Sequence, residues 1–568
     1  METQFTSLED VVVHVTENEP LFAVEEVDIR NVRLKTFANA ARHIGALMDY
    51  CDEYGDAEFI VFEEERYSYN DFRSQVNRLA RVLKTQFGVS KGDRVAICMR
   101  NYPEYLTAIM AIASLGGVIV FLNSWWTTQE LEYGFTDSGA KLVFTESSVA
   151  KRMEPFAGRL GLTQILVRSE GSSSNAYNGL IDAVPVADIP VVDVNTDDDM
   201  AIMYTSGSTG HPKGVVQTHR GAISALMSWL FAVRIAELTG LTPDMPKDES
   251  GVDLPMCSLI TTPLFHVSAT HACFFMGLIL GAKLVMMNKW DAEVAVNLIE
   301  GEKVTRFFGV PTMSADILNT AASMGKTLGT LRHIDAGGAK CPASQVAKLA
   351  KGFPSAEPRS GFGLTESNAL GLGIGGEEYL SQPGAAGRLY PPLQEMRIVN
   401  DTGEELPIGD VGELILKSAA NMRCYLNKPE ATAEALKDGW LYTGDLAVVD
   451  AEGLVTIVDR KKDIIIRGGE NISCLEVDAA FYLHPSVSEA AVFSVPDERL
   501  GEVVGAGVVL RQGHTLTQND LQDFLRAHLA AFKVPEKIWF LDHLPRGGTE
   551  KIDRRALRAE YISETSII

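Results

Sequence analysis

Short apolar runs alternate with amphipathic stretches from about residue 93 onward. The pattern predicts strands over 95–98, 118–122 and 142–145, with helices opening at Pro103 and Thr127, the layering of an α/β fold whose strands are largely parallel. After a polar stretch at 169–178 it restarts: a strand over 201–204, a loop rich in Gly, Ser and Thr, then a long helix from His219. Apolar runs at 259–262, 284–287, 307–310 and 334–336, each followed by a helix-like segment, predict a second sheet stacked on the first. Beyond Gly361 the chain turns rich in Pro and Gly, with short strands over 414–416 and 455–458, and reads as a smaller β-rich subdomain. From Lys462 it reads strand, helix 475–483, paired strands 490–495 and 503–510, helix 516–529, strand 538–541 and a basic tail, one α+β unit of about 100 residues. The expected organisation is therefore a large N-terminal domain over 1–460, made of two α/β sheets and the β-rich part, and a small mobile C-terminal domain over 461–568.

One stretch tests this reading. Residues 105–129 carry no formal charge and are long enough to cross a bilayer. Gly116 and Gly117 divide them into a helix-like half and a β-branched run, Val118, Ile119 and Val120, so a buried helix followed by a buried strand is expected, without stable membrane insertion.

The 568 residues hold 51 basic and 75 acidic side chains, a net charge of -24, and are 46% apolar. That is enough apolar material for several cores, and it excludes disorder and collagen-like repeats. The acidic balance gives no support to nucleic-acid binding, so an anionic ligand needs a local basic pocket. The seven cysteines form no CxxC pair, which points away from disulfides and zinc. The first ten residues lack a basic segment followed by an apolar block, and the last three are not a peroxisomal signal, so a cytoplasmic location is expected, and a homodimer is compatible with the sequence. Asp197, Asp198 and Asp199 read as a solvated linker, with metal binding the alternative.

The chemistry concentrates in 205–214, Thr-Ser-Gly-Ser-Thr-Gly-His-Pro-Lys-Gly, directly after an apolar strand. Glycines let backbone N–H groups approach a ligand while hydroxyls and an ammonium bind oxyanions, which suits a polyphosphate cradle; a flexible loop is the alternative. It is not a Walker A loop, because Pro212 precedes the lysine and Gly214 follows it. Four further blocks follow in order: Phe-Gly-Leu-Thr-Glu-Ser at 362–367, Tyr-Thr-Gly-Asp at 442–445, Asp-Arg-Lys-Lys-Asp at 459–463 running into Arg-Gly-Gly-Glu-Asn at 467–471, and Glu550-Lys551-Ile552.

With these five blocks the chain resembles the AMP-forming acyl-CoA synthetases, the superfamily that includes luciferases and peptide-synthetase adenylation domains, over nearly its whole length. The resemblance implies ATP, Mg2+ and CoA as cofactor and co-substrates. It implies that Thr205, Ser206, Gly207, Ser208, Thr209, Gly210 and Lys213 hold the β- and γ-phosphates, that Glu366 holds magnesium, and that Thr365 touches the α-phosphate. Phe362 and Gly363 would lie against adenine beside Gly338 and Ala339, and Asp445 with Arg460 would take the ribose. Lys551 would bridge the substrate carboxylate and the α-phosphate, although Glu550 stands where the family most often has glycine. Lys462 is the hinge expected between two half-reactions, with Gly468, Gly469 and Glu470 lying against CoA in the second. The bland alternatives are a core ring for Phe362, an Asx-turn for Asp445, a solvated tail lysine for Lys551 and a two-glycine hairpin for Gly468-Gly469.

Resemblance places the acyl pocket around His266, Val310 and Gly337, with 263–267, Phe274-Phe275, 309–312 and the stretch after Glu366. A core histidine is the alternative for His266. Residues 368–376 carry no charge and little bulk, which favours an apolar tail and hence a medium- or long-chain fatty acid. The expected activity is that of an acyl-CoA ligase. The alternatives are an aryl-acid or carrier-protein-loading adenylating enzyme, or a non-catalytic nucleotide or acyl sensor.

Overall fold

The computed structural model describes residues 5, 7–169, 175–187, 189, 192–205, 212–248, 250–468, 470–547 and 551–565. Two large sheets dominate. In the first, seven strands run in the spatial order Cys424–Tyr425, Lys213–Thr218, Asp199–Thr205, Val118–Phe121, Arg94–Cys98, Leu142–Glu146 and Thr163–Val167. The last five are mutually parallel, as the alternation of apolar runs and helices predicts. In the second, nine strands run from Arg388–Leu389 through Leu372–Gly375, Glu357–Phe362, His333–Gly337, Arg306–Gly309, Cys257–Ile260 and Lys283–Met286 to Glu58–Phe62 and Glu65–Ser68.

Helices packed between the sheets close the main core. In Pro103–Ser114 every residue from Pro103 to Ala113 is buried, and it enters with proline at its first turn, where a missing N–H costs nothing. The helix Thr128–Ser138 has Thr127 as its N-cap, in a reciprocal box with Glu130, and stops at left-handed Gly139. The uncharged stretch 105–129 is thus a buried helix and the buried strand Val118–Phe121. Among the described residues one helix, His219–Leu238, is long and apolar enough to cross a bilayer, and 56% of its most apolar window is buried inside the protein.

The β-rich part is a five-stranded sheet of Glu395–Val399, Gly412–Lys417, Trp440–Val449, Leu436–Lys437 and Val455–Arg460. The C-terminal unit is a separate five-stranded sheet of Glu470–Ile472, Ile465–Arg467, Gly501–Leu510, Val487–Asp497 and Lys537–Phe540, covered by helices Cys474–Phe481 and Gln518–Arg526.

Three expectations change. The loop after residue 205 leads into the strand Lys213–Thr218, antiparallel to Asp199–Thr205, before the long helix begins. The basic tail is the helix Arg554–Thr565, docked by an ion pair between Arg554 and buried Asp478. The three aspartates are no solvated linker: Asp197 pairs with Arg220 at 2.7 Å, Asp198 with Lys91 at 2.7 Å and Asp199 with Arg423 at 2.6 Å. All seven cysteines are free thiols and six are buried.

Candidate active site

The ends of both large sheets, the β-rich sheet and the C-terminal unit meet around one cleft of about 3240 Å³. On one wall the antiparallel register sets Thr205 opposite Lys213, so the two ends of the Gly/Ser/Thr loop are clamped together. Ser206, Gly207, Ser208, Thr209 and Gly210 lie outside the described residues. The Lys213 ammonium stands 4.6 Å from the centre of the Tyr425 ring. The Tyr425 hydroxyl donates to Glu366 Oε1 at 2.7 Å, which aims the carboxylate and, with burial, pushes the phenol pKa up. Glu366 lies in the short helical turn Thr365–Ser367, braced from behind by Gln217 Nε2 donating to the Thr365 carbonyl at 2.9 Å and by the Met422 N–H donating to the Glu366 carbonyl at 2.7 Å. Gly363 is required there, because a Cβ would come within 2.0 Å of the Ala369 carbonyl oxygen.

On the facing wall, Asp445 and Arg460 are directly paired across two strands of the β-rich sheet, with Arg460 Nε 2.7 Å from Asp445 Oδ1. Asp445 is buried, and its other oxygen has no partner among the described residues. Burial outweighs the attraction of Arg460, which is itself half exposed, and pushes the Asp445 carboxyl up to about 6, with Glu366 adding to the rise. A buried carboxylate oxygen without a donor fits a ligand hydroxyl, the group a ribose would offer. Phe362 lines the cleft while packing, partly buried, against the apolar cluster of the β-rich part, so the core reading of this ring holds for part of its surface.

Lys551 reaches across from the C-terminal unit. A Cβ at Gly338, whose φ is +78°, would come within 2.8 Å of Lys551 Cε and 3.0 Å of Nζ, so the lysine lies in the space that glycine leaves. The surrounding protein and Arg460 push its ammonium down to about 8 against the opposing pull of Asp445. Ala339 lines the cleft beside it, and Glu550 lies outside the described residues. His266 also lines the cleft; its Nε2 is buried without a partner among the described residues, and burial with the nearby Lys551 charge holds the ring down at about 3, hence neutral.

Of the expected acyl-pocket residues, Pro263, Phe265, His266, Val267, Val310, Thr312 and Gly337 line the cleft. Phe274 and Phe275 do not: both are fully buried in the main core, where Phe274 packs on Phe59 and Phe72. Of 368–376, Ala369, Leu372, Gly373, Ile374, Gly375 and Gly376 line the cleft, while neighbouring groups fill the space beside several of the glycines. A Cβ at Gly371 would meet the Phe362 carbonyl oxygen at 2.4 Å, one at Gly373 the Tyr390 hydroxyl at 2.0 Å, and one at Gly375 the Arg359 side chain at 2.7 Å. Asn368 is a brace, accepting from His271 Nε2 at 3.1 Å and donating to the Ala420 carbonyl at 2.7 Å.

Of the described thiol-side residues only Lys462 lines the cleft. Gly468, with φ +59°, turns a tight hairpin in which Arg467 pairs with Glu470, and neither Gly468 nor Glu470 lines the cleft; Gly469 is outside the described residues. Lys462 is exposed in the turn between the β-rich and C-terminal sheets. The arrangement presents Lys551 to the cleft and leaves Gly468 and Glu470 outside it. Tyr425 and Gln217 escaped the sequence reading, since a two-residue strand and an alternating strand give them no pattern of their own.

The donors fit the implied groups. Among the described residues no cluster of three His, Cys, Asp or Glu could hold a metal, and magnesium between nucleotide phosphates needs only one or two carboxylates, which Glu366 can supply. Bound there it would neutralise phosphate oxygens.

Fold and cleft together define an adenylate-forming enzyme. Residues 47–426 match the AMP-binding enzyme family and residues 476–551 the AMP-binding enzyme C-terminal domain, and the chain belongs to this family. It is 33% identical over 535 residues to a feruloyl-CoA synthase from an Amycolatopsis species, covering 94% of this chain and 98% of that one. It is 33% identical over 496 residues to the long-chain-fatty-acid–CoA ligase FadD13 of Mycobacterium tuberculosis, covering 87% and 93%. Among solved structures it resembles ATP-bound MatB from Rhodopseudomonas palustris, with a TM-score of 0.80, 27% identity and coverage of 92% and 99%. The protein is an AMP-forming acid–thiol ligase that uses ATP, Mg2+ and CoA.

Proposed function

We propose that this ligase activates a carboxylic acid with a hydrocarbon body of medium length, in two half-reactions that share one cleft. In the first, the acid's carboxylate attacks the α-phosphorus of ATP and pyrophosphate leaves. Two anions meet, so the protein's work is charge neutralisation and alignment. Lys551 bridges the carboxylate and the α-phosphate, Thr365 contacts that phosphate, and Thr205, Lys213 and the loop between them hold the β- and γ-phosphates. Glu366 is the metal carboxylate, aimed by Tyr425. Asp445 and Arg460 take the ribose, with Phe362, Gly363, Gly338 and Ala339 around the base. In the second half-reaction the C-terminal unit turns at Lys462, and 468–470 guides the CoA thiol to the acyl carbon. The domain boundary then falls at 460/461.

The observation that carries the reading is the placement of the Lys551 ammonium against Gly338, between Asp445 with Arg460 and His266. Trp229, Val233, Met276 and Leu280 form an apolar wall that supports a hydrocarbon body, such as the fatty acid expected from sequence. The Phe308 ring, 2.8 Å from where a Cβ at Gly337 would stand, narrows the floor and favours a flat aryl acid as the second reading. A mixed pool of aliphatic and aromatic acids with ATP, Mg2+ and CoA, read by mass spectrometry, tests the proposal. Thioesters with matching AMP are expected, and AMP formation undiminished in Lys551→Ala would overturn the assignment of the lysine.

A further inference from the structure

One helix of the cleft wall also reaches behind the turn that carries Glu366. It runs over Val267–Ile279, starts from His266 as its N-cap, and presents Ser268, Ala272 and Met276 to the cleft. Its middle, Thr270–Phe275, is a π-helical turn, a distortion that recurs where a helix serves a site. His271 sits on this turn and does not line the cleft. It is fully buried, its ring stands edge-on to Phe275 at 5.3 Å, and its Nε2 lies 3.1 Å from Asn368 Oδ1.

Asn368 closes the turn of Thr365 and Glu366. Its N–H donates to the Thr365 carbonyl at 3.2 Å, and its φ of +52° is a left-handed conformation that asparagine adopts more readily than most residues. Its Nδ2 donates to the Ala420 carbonyl at 2.7 Å, which leaves Oδ1 as the acceptor and makes His271 Nε2 the donor. Gly221 of the long helix makes room for the amide, since a Cβ there would stand 2.8 Å from Nδ2. The turn is thus pinned along its whole length: Thr365 by Gln217, Glu366 by Met422, and Asn368 by Ala420 and His271. His271 is more than a core filler. With Nε2 donating, its Nδ1 is a buried acceptor without a partner among the described residues. A phenylalanine would occupy similar volume with no stranded acceptor, so the bond to Asn368 is what the histidine adds.

We propose that His271 is a positioning residue for adenylation: through Asn368 it fixes the Thr365–Ser367 turn and so holds Glu366 where magnesium between nucleotide phosphates needs it. The inference rests on Glu366 as the metal carboxylate, and goes beyond that reading by naming what keeps the carboxylate in register. Tyr425 aims the Glu366 side chain, while His271 and Asn368 set the backbone that carries it. Magnesium demands near-ideal octahedral geometry, so a turn released at one end loses metal affinity while keeping its shape. The competing role for His271 is to shape the acid's wall, because Ala272 and Met276 belong to the same helix. The two roles part in an experiment from which the acid is absent.

The test is calorimetric binding of α,β-methylene-ATP, which keeps the three phosphates but cannot release pyrophosphate, to the full-length protein without acid, once in excess Mg2+ and once in EDTA. The ratio of the two affinities is the enhancement the metal supplies. His271→Phe keeps a ring on Phe275 and loses the donor; its enhancement is expected to fall by about fivefold, with the affinity in EDTA within about twofold of the wild type. His271→Gln, whose side-chain amide can donate in the same place, should recover most of the loss. An unchanged enhancement in His271→Phe would overturn the inference and leave the histidine to the acid's wall, and equal losses with and without metal would show a merely structural role. Glu366→Gln separates the inference from the reading beneath it. A full enhancement in that variant would take Glu366 away from the metal and the inference with it, whereas an enhancement lost there and intact in His271→Phe rejects His271 alone. Should His271→Phe not fold, Asn368→Gly, which accepts a positive φ and lacks the same bond, supplies the ratio.

Discussion

In the roles proposed for them, Lys551 and Asp445 set the working pH of the cleft from opposite sides. Asp445, raised to about 6 by burial, gains a proton as pH falls through that value, and a protonated carboxyl no longer accepts two ribose hydroxyls. Lys551, lowered to about 8, loses its charge as pH rises through that value, and with it the neutralisation of two meeting anions. The kcat/KM for adenylation, followed by ATP–pyrophosphate exchange, should therefore be bell-shaped with limbs near 6 and 8; a flat profile from 5.5 to 9 would be incompatible with both assignments. Lys551→Ala should lower the exchange rate by about 100-fold or more, yet leave thioester formation from a supplied acyl-adenylate nearly unchanged, because the thiol attack has no such meeting of anions. Tyr425→Phe removes the hydroxyl that aims Glu366 and keeps the ring under Lys213. Its expected signature is a several-fold rise in the Mg2+ concentration for half-maximal exchange, about 1 kcal/mol of lost orientation, with little change in the KM for the acid.

Among the elements, those built on a repeated apolar period were legible in the sequence. The strands Arg94–Cys98, Val118–Phe121 and Leu142–Glu146, and the helices begun by Pro103 and capped by Thr127, stand where their patterns put them. What stayed hidden depends on partners distant in sequence. Lys213–Thr218 is too short and mixed to announce a strand, and exists because Asp199–Thr205 and Cys424–Tyr425 flank it. The glycines of 371–375 look like open space in sequence and are contact points in the fold, since Phe362, Tyr390 and Arg359 fill the volume they vacate. The bond from His271 to Asn368 was equally invisible, because 97 residues separate its two ends. The helix Arg554–Thr565 reads as a basic tail because its anchor, Asp478, lies 76 residues earlier. Arg554 also donates to the Val492 carbonyl at 3.0 Å, so one side chain ties this helix to two elements just beyond Lys551. Arg554→Met should strand Asp478 in the core, cost about 3 kcal/mol in denaturant unfolding of the C-terminal unit, and lower exchange by loosening Lys551; unaltered unfolding would show that the helix docks without this pair.

At the scale of the whole molecule, the proposed cycle has one cleft receive Lys551 in one half-reaction and Gly468 and Glu470 in the other, yet of these three only Lys551 lines it in the arrangement described. In that proposed cycle, turning the C-terminal unit at Lys462 would break whatever joins residues before the hinge to residues after it. Asp459 makes the clearest such join. Its buried carboxylate, on the last strand before the hinge, accepts from Ser473 Oγ at 2.8 Å and from the Leu475 N–H at 3.1 Å, both at the start of the helix Cys474–Phe481 beyond it. Lys461, by contrast, is held back on the near side by Glu413 at 3.0 Å and Asp401 at 2.8 Å, so it can stay in place while the turn beyond it opens. In the proposed cycle the Asp459 bonds therefore favour the arrangement that presents Lys551 and would be given up before thiol attack. A hydrogen bond to a charged group contributes about 1.5–3 kcal/mol, enough for two of them to shift the balance by tenfold or more. Asp459→Ala should consequently slow ATP–pyrophosphate exchange while holding or raising the rate at which CoA consumes a supplied acyl-adenylate. A parallel fall in both rates, with an unfolding curve like that of the wild type, would show that Asp459 serves the cleft itself and not the balance between its two partners.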